Sequence, residues 1–116
     1  MARSIKTSDS EMLQGTLDML ILKTLVMGSA HGHTIAHIIV QTSEELLQVE
    51  QGSLYPALHR LEDRCWLSSF WGLSDNNRKA KFYKLTVAGR RQLMQETSRW
   101  RQIVRATGLV IGEEEA

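Results

Sequence analysis

Cysteine occurs once in this 116-residue chain, at Cys65. One thiol cannot build an internal disulfide framework, which sets aside the small disulfide-stapled secreted folds and points to a reducing cytoplasm. At the end of a helical pattern that thiol reads as a small packing residue rather than a redox switch. Proline also occurs once, at Pro56, and no linker or internal repeat divides the chain. A single core of modest size follows, small enough that a second copy would add useful burial. Long apolar runs are missing. A bilayer core needs about 20 residues, and the segment LDMLILKTLVM at 17–27 is interrupted by Asp18, Lys23 and Thr24. The opening MARSIKTSDSE carries charge without an apolar stretch or a small-residue cleavage site, so neither a signal peptide nor a membrane partner is expected.

Catalytic sets are missing as well. There is no glycine-rich phosphate loop and no nucleophile with a base at usable spacing, so no enzyme and no cofactor is expected. Of the four histidines, His33 and His37 are four apart and share a helix face. No carboxylate or cysteine stands beside them at ligand spacing, so no metal site is expected. Acid is scarce in one block. Residues 76–112 hold nine basic side chains (Arg78, Lys79, Lys81, Lys84, Arg90, Arg91, Arg99, Arg101, Arg105) against Glu96 alone, although the formal charge of the chain is only +1. A locally basic, globally neutral chain points to an anionic partner, nucleic acid first. For the arginines beyond position 89 a solvated helix face explains the charge equally well.

What is present is mostly helical. From about Asp9 to Met27, Leu13, Leu17, Leu20, Ile21 and Thr24 share a face that Met12, Met19, Leu22 and Val26 widen, and serine or aspartate at 8–10 can cap the start. Residues 34–42 form a second, short helix with Ile35, Ile38 and Ile39 inward, and 45–51 read as a short strand. Residues 52–64 form a third helix, with Pro56 in its first turn, where a missing N–H is harmless. WLSSFWG and KFYKLT are two strands joined by the turn LSDNNRKA, a hairpin with a basic tip. Thr86 caps a last helix reaching about Thr107, whose stripe Leu93, Thr97, Trp100, Val104 has a coiled-coil-like spacing. Its length exceeds what the head requires, so the surplus stripe asks for a second copy of the chain. The order describes a mainly α fold with a small β-wing (α+β): a winged helix-turn-helix head at 1–85, then a C-terminal dimerisation helix and acidic tail at 86–116. In such a head the third helix enters the major groove with its N-terminal residues toward the bases.

GTLDMLILKTL at 15–25, AHGHTIAHII at 30–39, LQVEQGSLYPALHRLEDRCWL at 47–67 and RKAKFYKLTVAGRRQL at 78–93 closely resemble the PadR family of bacterial transcriptional regulators, in its short form with one C-terminal helix. The resemblance spans about residues 12–105. It implies a homodimer bound to an inverted-repeat operator on double-stranded DNA, usually as a repressor. It also implies dimerisation through the first and last helices, by Leu13, Leu17, Leu20, Leu93, Thr97, Trp100 and Val104. In some relatives a tryptophan at the place of Trp100 lines a pocket for a small aromatic effector; packing in the dimer core is the simpler role. Two departures stand out. His33 occupies a place where the family commonly has Tyr, and Cys65 one where it commonly has Gly, so a different helix cap is expected there.

The candidate DNA-binding residues are His33, Thr34, Ser53, Tyr55, Pro56, His59, Arg60, Arg78, Lys79 and Lys81. Ser53 either donates to a phosphate or caps the third helix, and the two roles are compatible. Tyr55 offers a hydroxyl and a flat apolar face to DNA, or packs under the wing. Arg60 suits guanine or a phosphate, or pairs with Asp63. Arg78, Lys79 and Lys81 have no acid near them in sequence beyond Asp75 and suit the adjacent backbone or minor groove. The competing reading is a dimeric winged-helix module that binds protein without reading DNA.

Overall fold

The computed structural model describes residues 4–7 and 14–112. Leu13, the expected cap at 8–10 and the acidic tail at 113–116 lie outside the described residues. The elements are β1 (Ile5–Lys6), α1 (Gln14–Thr24), β2 (Ala30–His31), α2 (Gly32–Thr42), β3 (Leu47–Gln48), α3 (Gln51–Asp63), β4 (Leu67–Leu73), β5 (Lys79–Leu85) and α4 (Val87–Ile111). The α+β winged helix-turn-helix expected from the hydrophobic periods is the fold observed.

The core is built where those periods converge. Leu17, Ile21 and Leu22 of α1, Ile35 and Ile39 of α2, and Leu54, Ala57, Leu58 and Leu61 of α3 are buried together, closed from the wing side by Leu67, Tyr83 and Leu85. Fully burying each such aliphatic side chain contributes about 1.5–3 kcal/mol, which is why α3 is held by its Leu54–Leu58–Leu61 face while the opposite face stays in water. The wing has three strands rather than two, in the order β2-β5-β4, all antiparallel. Ala30 and His31 add the third by pairing with Tyr83 and Phe82; two residues are too few to show a period of two. At the wing tip Asn77 takes φ 61°, with Asn77 N donating to Ser74 O at 2.8 Å and Ser74 N to Arg78 O at 2.8 Å. That is the three-residue hairpin with a left-handed third position, which asparagine tolerates.

Two helix ends differ from expectation. Pro56 lies inside α3, a turn deeper than its first turn, so it cannot donate to the carbonyl of exposed Gly52. At the other end the cap is not altered by cysteine. Cys65 adopts φ 63°, its N–H donating to Glu62 O at 2.9 Å while Trp66 N donates to Leu61 O at 3.0 Å. These are the paired bonds of the Schellman motif, formed in the left-handed conformation that glycine adopts more cheaply.

Thr86 caps α4 as expected, its hydroxyl accepting from Gly89 N at 2.9 Å and donating to the carbonyls of Cys65 and Trp66 at 2.8 and 3.0 Å. Past Leu93 no described residue of α4 is buried. The helix runs on to Ile111 and stops at left-handed Gly112 (φ 79°). Its 25 residues extend about 37 Å at ~1.5 Å each, and the radius of gyration, 15.4 Å, exceeds the ~13 Å of a compact chain of about 100 residues. The second half of α4 therefore projects from the head. No helix among the described residues is long and apolar enough to cross a membrane.

Candidate nucleic-acid interface

Three segments distant in sequence meet at the start of α2. Gly32 is buried, and a Cβ placed on it would lie 2.8–3.0 Å from the hydroxyl and ring of Tyr55, so the phenol lies directly on its backbone. On the other side His31, His33 and Thr34 border a recess completed by Ser74, Asp75 and Asn76 of the wing turn. Thr34 Oγ1 lies 3.2 Å from His31 Nε2, and the His31 and His33 rings stack at 6.4 Å. His31 also meets Phe82 edge-on at 5.3 Å, and Phe82 stacks on Phe70 at 5.5 Å. A row of rings thus ties the helix start to the wing. Tyr55 remains 44% exposed while its ring lies on Gly32.

Along α3, Gly52 and Pro56 are exposed and Ser53 half-buried. Nothing lies within 4 Å of a Cβ at Gly52, so the mouth of the helix is open to an approaching group. Ser53 is not the cap; Glu50 holds that position, and its side chain makes no capping hydrogen bond to the helix start. One turn on, exposed His59 stands 3.5 Å from Asp63.

Arg60 departs from the sequence reading. Its guanidinium donates to Asp18 Oδ1 of α1 at 2.8 Å, not to Asp63, and both side chains are largely covered. Burial pushes the Asp18 carboxyl above its ordinary range, and the Arg60 bond only partly offsets this. Arg60 ties α3 to α1 in this structure. Lys81 also has a partner that sequence proximity does not show. Its ammonium donates to Glu62 Oε1 at 3.1 Å and lies 5.6 Å over the Tyr83 ring. Glu62 accepts from the Ser69 hydroxyl as well. The Ser69 bond first, then Lys81, holds the Glu62 carboxyl below the usual glutamate range against the opposing effect of burial. Lys81 is raised in turn, chiefly by Glu62. Glu62 therefore bolts β4 and the central strand β5 to α3, a role that the helical pattern alone does not reveal. At the tip, Arg78 is exposed and Lys79 lies 5.2 Å over the exposed Trp71 ring.

Of the stripe expected to face a partner, Leu17 and Leu93 belong to the protomer core, at 3% and 9% exposure. Leu20 and Thr97 are half-buried, and Trp100 and Val104 are exposed. The latter four line an open groove of about 1170 Å³ between α1 and α4, with Met19 and Met94.

Comparison with known proteins agrees with this arrangement. The transcriptional regulator PadR-like family model matches residues 21–95. A transcriptional regulator from Clostridium thermocellum superposes with a TM-score of 0.77 at 25% identity, covering 86% of this chain and 94% of that one. A PadR family transcription regulator from Clostridium difficile gives 0.72 at 28% identity, covering 83% and 98%. An uncharacterised protein of Lysinibacillus sphaericus is 24% identical over 94 residues, 81% of this chain and 86% of its own. With the family model matched over more than half of its length and the winged helix-turn-helix in place, this chain belongs to the PadR-like family of transcriptional regulators.

Proposed function

We propose that the chain is a sequence-specific DNA-binding repressor, acting in the cytoplasm as a homodimer on an inverted-repeat operator. The observation that carries this reading is the seating of Tyr55 on Gly32, which brings the α3 mouth, the α2 start and the wing turn onto one surface. Ser53, Tyr55 and His59 face base edges and nearby phosphates, with Pro56 stiffening the backbone between them. The N–H groups at the open α3 mouth suit a phosphate. His33 and Thr34 contact the adjoining backbone, and Arg78 and Lys79 the neighbouring groove. Arg60 and Lys81 act through Asp18 and Glu62, by holding the reading helix and the wing in place.

The second copy covers the α1–α4 groove through Leu20, Thr97, Trp100 and Val104, with Leu93 at its base. Half exposure of large apolar side chains along a projecting helix is the expected state of a stripe awaiting its partner. Mobility shift with the DNA upstream of its own coding sequence tests the reading. Arg78→Ala with Lys79→Ala weakens that fragment and random duplex alike and lowers the salt slope by about 2. Absence of all binding at low salt would replace it with the protein-binding module. The groove further suits a planar aromatic effector on Trp100; such compounds then quench its fluorescence and release DNA, and a panel that quenches nothing removes the effector from the scheme.

A further inference from the structure

The reading helix lacks a cap of its own. In a capping box the N3 side chain reaches back to the N–H of the N-cap residue; here N3 is Ser53, too short to do so. The N–H of Glu50 donates instead to Thr7 Oγ1, at 3.0 Å, from 43 residues away. Thr7 is 7% exposed and is the buried polar residue among those described. It is held by backbone pairing: β1 lies parallel to β3, with Ile5 N donating to Leu46 O at 2.8 Å and Thr7 N to Gln48 O at 2.9 Å. The Ser4 hydroxyl donates to Glu45 O at 3.0 Å. The segment under this clamp is the connection between the two helices of the helix-turn-helix. It contains two successive left-handed residues, Glu44 (φ 56°) and Glu45 (φ 65°), a conformation that disfavours side chains. A connection so constrained needs outside bonds to hold one geometry.

We propose that residues 4–7 are a working part of the DNA interface: they clamp the helix-turn-helix connection, and Thr7 is a positioning residue that fixes the first turn of α3. This rests on the DNA-reading role given above. The hydroxyl of Thr7 takes the place of the missing capping-box side chain, so the mouth that presents Ser53 and Tyr55 is preset before DNA arrives. Without it the first turn frays, and ordering it is deducted from specific binding, while contacts to phosphate that need no register survive.

Thr7→Val keeps the shape and removes the acceptor; Thr7→Ser restores it. In Thr7→Val the amide of residue 50 and those of 51–53 exchange faster. Affinity for the fragment upstream of its own coding sequence drops by about tenfold, the loss that one buried hydrogen-bond partner brings. Affinity for random duplex and the salt slope stay within about twofold, since phosphate charge is untouched, and Thr7→Ser behaves as the unaltered chain. Equal upstream-fragment affinity in Thr7→Val, unchanged exchange at 50–53, or a Thr7→Ser as impaired as Thr7→Val overturns the proposal. Failure of the unaltered chain to prefer the upstream fragment over random duplex instead removes the DNA-reading role, and exchange at 50–53 then still decides whether Thr7 holds the helix.

Discussion

Replacing Cys65 by glycine should stabilise the protein. Cys65 is the left-handed residue of the α3 cap, at φ 63°. A side chain in that conformation costs about 1–2 kcal/mol relative to the right-handed region. Glycine escapes the cost but brings extra freedom to the unfolded chain, which returns about 0.4–1 kcal/mol. The thiol is exposed, so little burial is lost. The balance is a gain of about 0.5–1 kcal/mol, or roughly 2–6 °C in melting midpoint for a domain of this size. The gain should be felt beyond α3, because the Cys65 and Trp66 carbonyls both accept from the Thr86 hydroxyl that caps α4. Thermal and urea unfolding of Cys65→Gly, Cys65→Ala and the unaltered chain, at one protomer concentration and with reductant, measures it. Alanine removes the thiol but keeps the strained backbone, so Cys65→Ala should stay within about 0.5 kcal/mol of the unaltered chain. If Cys65→Gly is no more stable than Cys65→Ala, backbone strain at this cap is not the cost described.

Gly89→Ala tests the opposite sign. In an ordinary helix it would gain about 1 kcal/mol, but here the new Cβ would sit 2.1 Å from the Trp66 carbonyl oxygen. A loss of about 1–3 kcal/mol in denaturant unfolding is expected instead; a gain would mean the helix–strand contact is loose. At Gly32→Ala the nearest atoms to the new Cβ are those of the movable Tyr55 ring, so DNA affinity should fall several-fold while stability changes by less than about 1 kcal/mol, and unchanged DNA affinity would detach Tyr55 from recognition. Glu62 has a depressed carboxyl, so its contribution is complete above the ordinary glutamate value of 4.5 and is lost as pH falls through the lower folded value. Glu62→Gln should be less stable at neutral pH and show a flatter acid limb in pH-dependent unfolding; an acid limb as steep as before would place that titration elsewhere.

Elements whose evidence is local were legible in the chain. The period of α3 put Leu54, Leu58 and Leu61 inward, Thr86 announced the start of α4, and the turn residues at 75–77 announced the wing. Errors came wherever the decisive partner is remote. Arg60 has acids nearby in sequence, yet its bond goes to Asp18, 42 positions back. Lys81 looked unopposed because Glu62, on another element, is 19 positions away. The two-residue strands β1 and β2 have no period to read and exist through their partners' free N–H and C=O groups, whereas β3 falls within the 45–51 segment read as a short strand. The stripe expected to face a second copy ran together two environments, because one helix face passes from the core at Leu93 into solvent at Trp100.

The amino-acid order by itself determined which helices and which long wing strands form, which faces are apolar and that one block is basic, because these depend on residues within a turn or two of each other. The family resemblance followed from four such blocks, above all the stretch around GSLYPALHRLE with FYKLTVAGR beside it. Tertiary structure alone decided how α3 is held: Thr7 at its start, Arg60 with Asp18 along its length, Glu62 between it and the wing, and a left-handed Cys65 at its end. Each of these is a hydrogen-bonding or steric condition set by packing, and no local period carries it.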